Sequence, residues 1–211
     1  MKSHYRKLLS LLPATMEREI YKSHFQKEHS KWLQKGSPLP VSNLSKQELL
    51  LQYQRENKID YLVETGTYLG DTLYALYPAF TSLHSIELSE YFYKKALKRF
   101  RHLPKITLHH GDSGKVLHTL VPQLNGSAIF WLDGHYSGGL TAKGDKDCPV
   151  YEELHAIFRS PYQHYIFIDD ARLFTGAGDY PTIEALQQFV AAHKPGYTLS
   201  VNNDCIMLLP A

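Results

Sequence analysis

Short apolar runs alternate with amphipathic segments from residue 59 to the end of the chain. The short runs are typical of strands, and the amphipathic segments are typical of helices. We predict strands at about residues 60–64, 82–87, 105–109, 127–133, 164–170, 197–202 and 204–209. We predict the helices between them at about residues 70–78, 89–101, 113–123, 149–159 and 181–193.

This order of elements indicates an α/β fold with a doubly wound, mostly parallel seven-stranded sheet. Five strand-then-helix units require a parallel sheet covered on both faces, because parallel strands are joined by crossovers and the crossovers are helices. The last two predicted strands are separated only by the region of Asn203, so they form a hairpin in which one strand runs antiparallel.

Residues 1–58 have a different pattern and are predicted to form an N-terminal helical cap on a domain that spans residues 59–211. Apolar side chains recur at helical spacing up to residue 35, and a loop rich in glycine and proline follows. Ser45 lies three residues before Glu48, which is the capping-box spacing for the start of a second helix.

Composition excludes several classes of protein. Of the 211 residues, 43% are hydrophobic and 21% are charged, which is typical of a folded domain with a core of its own. The net charge of +2 gives no reason to expect a nucleic-acid partner. Residues 1–58 carry more than twice as many basic as acidic side chains, which favours a solvated helix face and leaves an anionic partner open.

Location is predicted from the cysteines and from the apolar runs. The chain has 2 cysteines, too few for a disulfide framework, and this number fits a reducing, cytoplasmic compartment. No run approaches the roughly 18 apolar residues that a membrane helix needs. We therefore expect a cytoplasmic protein without a membrane partner.

Two of the predicted strands end on carboxylates. Asp133 ends "IFWLD", and Asp169 with Asp170 ends "YIFIDD". Ligands of doubly wound sheets bind beyond the carboxyl ends of the strands, so these positions predict a site. Three converging carboxylates would repel one another, and a divalent cation such as Mg²⁺ would remove the conflict. Alternatively, Asp133 acts on substrate without a metal and the pair caps a loop.

A glycine-containing segment follows the first predicted strand. In "VETGTYLGDTL", which we call the glycine loop, Glu64 ends the strand, Gly66 permits a tight turn with close ligand approach, and Gly70 lets the next helix pack nearby. A carboxylate so close to the turn would repel a pyrophosphate and attract a cofactor that carries an ammonium group. A purely structural turn before a helix is the alternative.

Two further polar positions follow the second and third strands. Glu87 can accept hydrogen bonds from both hydroxyls of a ribose, or it can cap the next helix, although Ser89 is better placed for a cap. Asp112 and Ser113 can bind the edge of an adenine, or they can cap the helix that follows.

The glycine loop, the ribose acid and the Asp-Ser pair, in this order, resemble the class I S-adenosylmethionine (SAM)-dependent methyltransferases. The resemblance covers residues 59–211 and implies a Rossmann-like methyltransferase fold with SAM as cofactor. It implies that Glu64, Gly66 and Gly70 surround the amino-acid end of SAM. It also implies that Glu87 binds the ribose and that Asp112 with Ser113 binds the adenine.

The aspartates are similar in placement to the metal ligands of the metal-dependent O-methyltransferases of the catechol and sugar types. That likeness implies that Asp133, Asp169 and Asp170 hold a divalent metal. The catechol enzymes place a lysine three residues after the first aspartate, where this chain has Tyr136. His135, whose imidazole titrates near neutral pH, is therefore the candidate base, with Lys143 as the alternative.

The sequence thus predicts an enzyme, a SAM-dependent O-methyltransferase with Mg²⁺ and a small hydroxylated acceptor. Residues 134–149 would form a mobile lid over its site. A metal-independent methyltransferase with His135 and Asp133 as base, or a SAM-binding protein without transfer activity, stays open. An RNA substrate is disfavoured because residues 59–211 are net acidic and lack a basic stripe interleaved with aromatics. Residues 1–58 would shape the acceptor pocket or a homodimer contact.

Overall fold

The computed structural model describes residues 14–134 and 148–211. The two N-terminal helices are α1 (Ala14–Gln34) and α2 (Asn43–Asn57). The alternating part then contains β1 (Tyr61–Thr65), α3 (Asp71–Leu76), β2 (Ser82–Glu87), α4 (Glu90–Phe100), β3 (Ile106–His110), α5 (Ser113–Leu120), β4 (Ala128–Leu132), α6 (Val150–Phe158), β5 (Tyr165–Ile168), α7 (Ile183–His193), β6 (Tyr197–Asn202) and β7 (Cys205–Pro210).

The strands form one sheet of seven in the order β3-β2-β1-β4-β5-β7-β6. Strands β1 to β5 are parallel, and β7 pairs antiparallel with both β5 and β6. The predicted doubly wound sheet and its final hairpin are thereby confirmed. The strand order reverses between β1 and β4, so the carboxyl ends of these two strands mark the place where such a sheet binds its ligand.

Both faces of the sheet are covered, which explains why the central strands read as unbroken apolar runs. Ile129 and Phe167 face the side covered by α1 to α4. Their chain neighbours Phe130 and Ile166 belong to the core on the other side, which α5, α6 and α7 cover. All four of these side chains are fully buried.

The N-terminal helices share a core with the sheet. Tyr21 and Phe25 of α1 and Leu50 of α2 are buried in the same cluster as Phe167 of β5. Burying four large apolar side chains contributes about 1.5–3 kcal/mol each relative to exposure. The packing therefore fixes α2 against the sheet, and with it every polar side chain that α2 carries toward the strand ends.

The prediction that Ser45 caps α2 is wrong. The helix begins at Asn43, and its N-cap is Ser42, whose Oγ accepts a hydrogen bond from the Ser45 backbone N–H at 3.3 Å. The Ser42 hydroxyl also contacts Nδ1 of His29 on α1 at 2.8 Å. Ser42 has this second partner on the neighbouring helix, which the capping-box spacing alone does not reveal.

Within the described ranges, none of the helices combines the length and the apolar character needed to cross a lipid bilayer.

Candidate functional site

The end of β1 and the end of β4 are held together through the glycine loop. The backbone N–H of Asp133 donates to the carbonyl oxygen of Thr65 at 3.2 Å and lies equally close to the Thr65 hydroxyl. Gly66 has a φ of 84°, and a Cβ added there would lie 2.9 Å from the carbonyl carbon of Asp133. Only glycine fits this turn, because both the backbone conformation and the neighbouring strand exclude a side chain.

Gly70 permits the close packing that the sequence predicts for it. It is the N-cap residue of α3 with a φ of 70°, and an added Cβ would lie 2.6 Å from the ring of Phe100 on α4. Arg99, the neighbour of Phe100, donates to the carbonyl oxygen of Leu69 and to the Asp71 carboxylate. Helix α4 therefore holds the second half of the glycine loop in place.

Glu64 is a buried carboxyl beneath the glycine loop. Its side chain accepts a hydrogen bond from the Ser85 hydroxyl at 2.7 Å, and Thr72 also donates to it. Burial, with smaller contributions from the charges of Asp133 and Glu87, raises the pKa of Glu64 to about 8 against these two hydrogen bonds. Its partners in the described part of the chain are hydroxyls and other acids, so a bound ammonium group would compensate its charge.

Glu87 is 7% exposed and lies beside the same loop. Its carboxylate accepts the backbone N–H of Tyr68 at 2.7 Å and that of Ser89 at 2.8 Å. Ser89 occupies the N-cap position of α4 but makes no capping hydrogen bond with its side chain, and the Glu87 carboxylate binds the backbone N–H of the N-cap residue itself. A carboxylate offers about four lone-pair directions, which leaves Glu87 able to accept from a diol.

Asp112 occupies the N-cap position of α5 without a capping hydrogen bond from its side chain. Its carboxylate lies 3.6 Å from the ammonium of Lys115, which is exposed to solvent. Ser113 follows at the start of the helix and is 8% exposed. The capping alternative thus does not describe the Asp112 side chain, and a role at the adenine stays a prediction.

Asp169 and Asp170 each pair with a cation of the chain itself. The Lys46 ammonium, on α2, donates to Oδ2 of Asp169, and Oδ1 of Asp169 accepts the backbone N–H of Asp170 at 2.8 Å. The Arg172 guanidinium donates to Oδ1 of Asp170 at 2.7 Å and also pairs with Asp204. Asp170 has a φ of 57°, which ends the strand two residues earlier than predicted.

Lys46 is a protonated lysine in this environment. Burial lowers the pKa of Lys46, but the charge and the hydrogen bond of Asp169, together with the charges of Asp133 and Asp170, outweigh burial and raise it overall. All three predicted metal ligands therefore act on this one ammonium group. The interpretation of the basic N-terminal residues as a solvated face does not hold for Lys46, whose side chain is 18% exposed.

The described residues do not fit a metal held by the three aspartates. Across residues 14–134 and 148–211, no three His, Cys, Asp or Glu side chains are grouped so that they could hold a metal ion. Two of the three carboxylates already pair with Lys46 and Arg172. The predicted bases, His135 and Lys143, and most of the predicted lid lie outside the described residues.

Sequence reasoning missed Lys46. It lies 123 residues before Asp169, on a helix outside the predicted domain, and no motif spacing connects the two. Arg172, by contrast, follows Asp170 by two residues, and a cation so close to an acidic pair is a signal that the sequence contained.

No protein-family model matches the sequence, and a search of curated proteins finds no relative. Solved structures do share the fold. The O-methyltransferase TomG from Streptomyces achromogenes, involved in tomaymycin synthesis and solved in complex with SAM, has a TM-score of 0.59 at 18% identity, with 89% of each chain covered.

Two further structures agree with this similarity. An O-methyltransferase from Bacillus cereus, in complex with S-adenosylhomocysteine (SAH), has a TM-score of 0.60 at 13% identity and covers 90% of this chain and 91% of its own. The SAH-bound methyltransferase PaMTH1 from Podospora anserina has a TM-score of 0.57 at 17% identity, with coverage of 89% and 88%. The chain therefore has the class I methyltransferase fold, as its sequence motifs predict.

Proposed function

We propose that this protein is a SAM-dependent O-methyltransferase that acts on a small hydroxylated acceptor. The observation that carries the proposal is Glu64, a buried acid at the ligand-binding end of β1 whose described partners include no cation. The amino-acid end of SAM brings an ammonium group, which would favour the ionised form of this acid. The fold supports the same assignment, because the similar structures include SAM- and SAH-bound methyltransferases.

The order of the strands supports the other proposed cofactor contacts. Glu87 would accept hydrogen bonds from the ribose hydroxyls while its backbone contacts keep the carboxylate in place. Asp112 and Ser113, beyond β3, would bind the adenine, with Asp112 accepting from the exocyclic amine. Gly66 and Gly70 shape the loop that would surround the amino-acid end.

The acceptor would bind at the end of β4, near Asp133. SAM supplies an electrophilic methyl group when it is bound. The acceptor oxygen would attack in line, and the hydroxyl proton would pass to a base at this position, for which His135 stays the predicted residue with Asp133 beside it. The proposed reaction has no metal-dependent step, because Lys46 and Arg172 already pair with the two other aspartates.

Calorimetry with SAH tests the cofactor site. We expect the wild-type protein to bind SAH, and Glu87→Gln to weaken binding by about tenfold or more, because a charge-assisted pair of hydrogen bonds becomes neutral. Glu90→Gln is the matched control: Glu90 is an exposed acid three residues along the chain that pairs with Lys94, and its substitution should leave the affinity unchanged. A wild-type protein that binds neither SAH nor SAM would contradict the proposal.

Transfer is tested separately with SAM and a panel of phenol, catechol and sugar acceptors, with SAH formation measured by mass spectrometry. Product from at least one acceptor is the expected result, before and after dialysis against a chelator. Binding of SAM that is indifferent to every hydroxylated acceptor would favour the alternative of a cofactor-binding protein. Loss of activity on dialysis, restored by Mg²⁺, would instead support the predicted metal.

We propose four further properties of this protein. Residues 1–58 would act as a cap that shapes the acceptor pocket or a homodimer contact. Nucleic acid and membranes would not be partners. The location would be cytoplasmic, as the cysteine content indicates.

A further inference from the structure

We propose that the Lys46 ammonium takes the place of a divalent cation at the carboxyl ends of β4 and β5, so that the acceptor is bound and oriented without a metal. The inference rests on the proposed function for its catalytic meaning. The placement of the charge itself does not depend on that function.

Three interactions fix the position of Lys46: the burial of its helix, a hydrogen bond to Asp169 and a contact with the ring of Trp131. Helix α2, which carries it, is anchored in the core through Leu50, which is fully buried. The ammonium donates to Oδ2 of Asp169 directly after β5. It also lies 5.9 Å from the ring centroid of Trp131, a buried residue of β4 two positions before Asp133. The ammonium therefore lies between the ends of the two strands that were predicted to hold a metal.

The Lys46–Asp169 pair is shielded from water. The side chains are 18% and 4% exposed, respectively. Removing one partner of a shielded ion pair leaves a charge without compensation, whereas an intact pair needs no further cation. Because Arg172 also neutralises Asp170, a metal at this position would have to displace or oppose two fixed positive charges.

An ammonium imposes a different geometry on the acceptor than Mg²⁺ does. Mg²⁺ binds oxygen ligands in an octahedral arrangement and can hold two neighbouring acceptor oxygens at once. An ammonium has three N–H donors, and Asp169 occupies one of those on Lys46. The two remaining N–H groups on Lys46 can each donate to an acceptor oxygen, but they do not chelate a pair of oxygens as Mg²⁺ does. Lys46 would thus require only one hydroxyl on the acceptor, and the acceptor class is one that reacts without a chelating pair.

The methyl transfer balances without a metal. The acceptor oxygen forms a bond to the methyl carbon while the bond between that carbon and the sulfonium sulfur breaks, and the sulfur keeps the electron pair. The hydroxyl proton passes to the general-base pair of the proposed function, of which Asp133 is the described residue. The Lys46 ammonium keeps its own protons throughout and stabilises the negative charge that develops on the acceptor oxygen.

Manganese binding measured by electron paramagnetic resonance tests the inference without cofactor or acceptor. Wild-type protein should bind Mn²⁺ only weakly, whereas Lys46→Ala should bind it at least about tenfold more tightly, because Asp169 loses its bonded cation and Asp133 and Asp170 lose a nearby positive charge. Adding Asp169→Asn to Lys46→Ala should abolish the gain. Lys31→Ala, which removes an exposed lysine of α1, is the charge-matched control and should behave as the wild type does.

Two results would overturn the inference: tight Mn²⁺ binding by the wild type, or Lys46→Ala binding no more tightly than the wild type. If Lys46→Ala does not fold, Lys46→Gln keeps most of the side chain without the charge and takes its place, with the same expected gain. The affinity for SAH should be unchanged in each Lys46 variant. A failure to bind SAH therefore counts against the proposed function and leaves the manganese result to decide the role of Lys46.

Discussion

At the scale of single residues, the site depends on carboxyl groups whose partners decide their charge. Glu64 has hydroxyl partners, and burial keeps its pKa well above the ordinary value. Asp169 has an ammonium partner and a backbone donor. The two acids lie at the ends of different strands of one sheet, yet the described partners of the first include no cation and the second already has one.

The affinity for SAH should depend on pH through Glu64. With a folded-state pKa of about 8, the acid must ionise to pair with the ligand ammonium, so affinity should rise from pH 6.5 to about 8 and then level off. Calorimetry at several pH values, in buffers of different ionisation enthalpy, would show the released proton. Glu64→Gln should bind more weakly with a flat profile over this range. A rise in the variant equal to that of the wild type would assign the dependence to another group.

Sequence predicts where such residues lie and not what they touch. Glu64 and Glu87 end predicted strands, and parallel topology brings strand ends together whatever their neighbours are. Hydrogen bonds such as those from Ser85 to Glu64 and from Tyr68 to Glu87 depend on which strands become neighbours, and this order is not written in either segment.

At the scale of elements, the turn after β1 lies in close contact with the end of β4. Gly66 has no room for a side chain because the end of β4 lies against it. The strands themselves were predictable to within one or two residues, because buried parallel strands are marked by apolar runs and by the polar residues that end them. The start of α2 was not, since its cap depends on a contact between helices.

Gly66→Ala should lower the free energy of unfolding more than Gly178→Ala does. Both glycines have a positive φ, which costs an L-residue about 1–2 kcal/mol. Only the Cβ at Gly66 would also meet backbone, whereas nothing lies within 4 Å of a Cβ at Gly178. Urea unfolding of both variants would measure the difference between their losses in the free energy of unfolding. This difference is the cost of the contact between the new side chain and the end of β4. Equal losses would mean that the turn adjusts without strain.

At the scale of the whole molecule, side-chain contacts of His164 join three strands at the end of the sheet opposite the proposed site. His164 lies at the start of β5, where its Nδ1 accepts the backbone N–H of Ala128 and its own backbone N–H donates to the hydroxyl of Tyr197. These contacts tie β4, β5 and β6 together at the edge opposite the site. Burial, with the charge of Lys194, lowers the pKa of His164 to about 4.

His164 should make the protein sensitive to acid. Its folded-state pKa lies below the ordinary value of 6.5, so its contribution to stability is complete above pH 6.5 and is lost as the pH falls toward about 4. A shift of this size corresponds to a few kcal/mol, on the order of 3. His164→Asn keeps an acceptor without a titratable ring, and urea unfolding should show a shallower loss of stability over this range. Parallel curves for the two proteins would rule out this role for His164.

The position of Lys46 leads to a prediction about the metal dependence of homologous proteins. Lys46 lies on α2, in the N-terminal segment. A sequence comparison limited to residues 59–211 would therefore leave it out. If its charge replaces a metal, chains with lysine or arginine at this position should work in the presence of chelators. Chains with a neutral residue there and the same three aspartates should depend on an added divalent ion. The residue at this one N-terminal position would then distinguish metal-independent from metal-dependent enzymes.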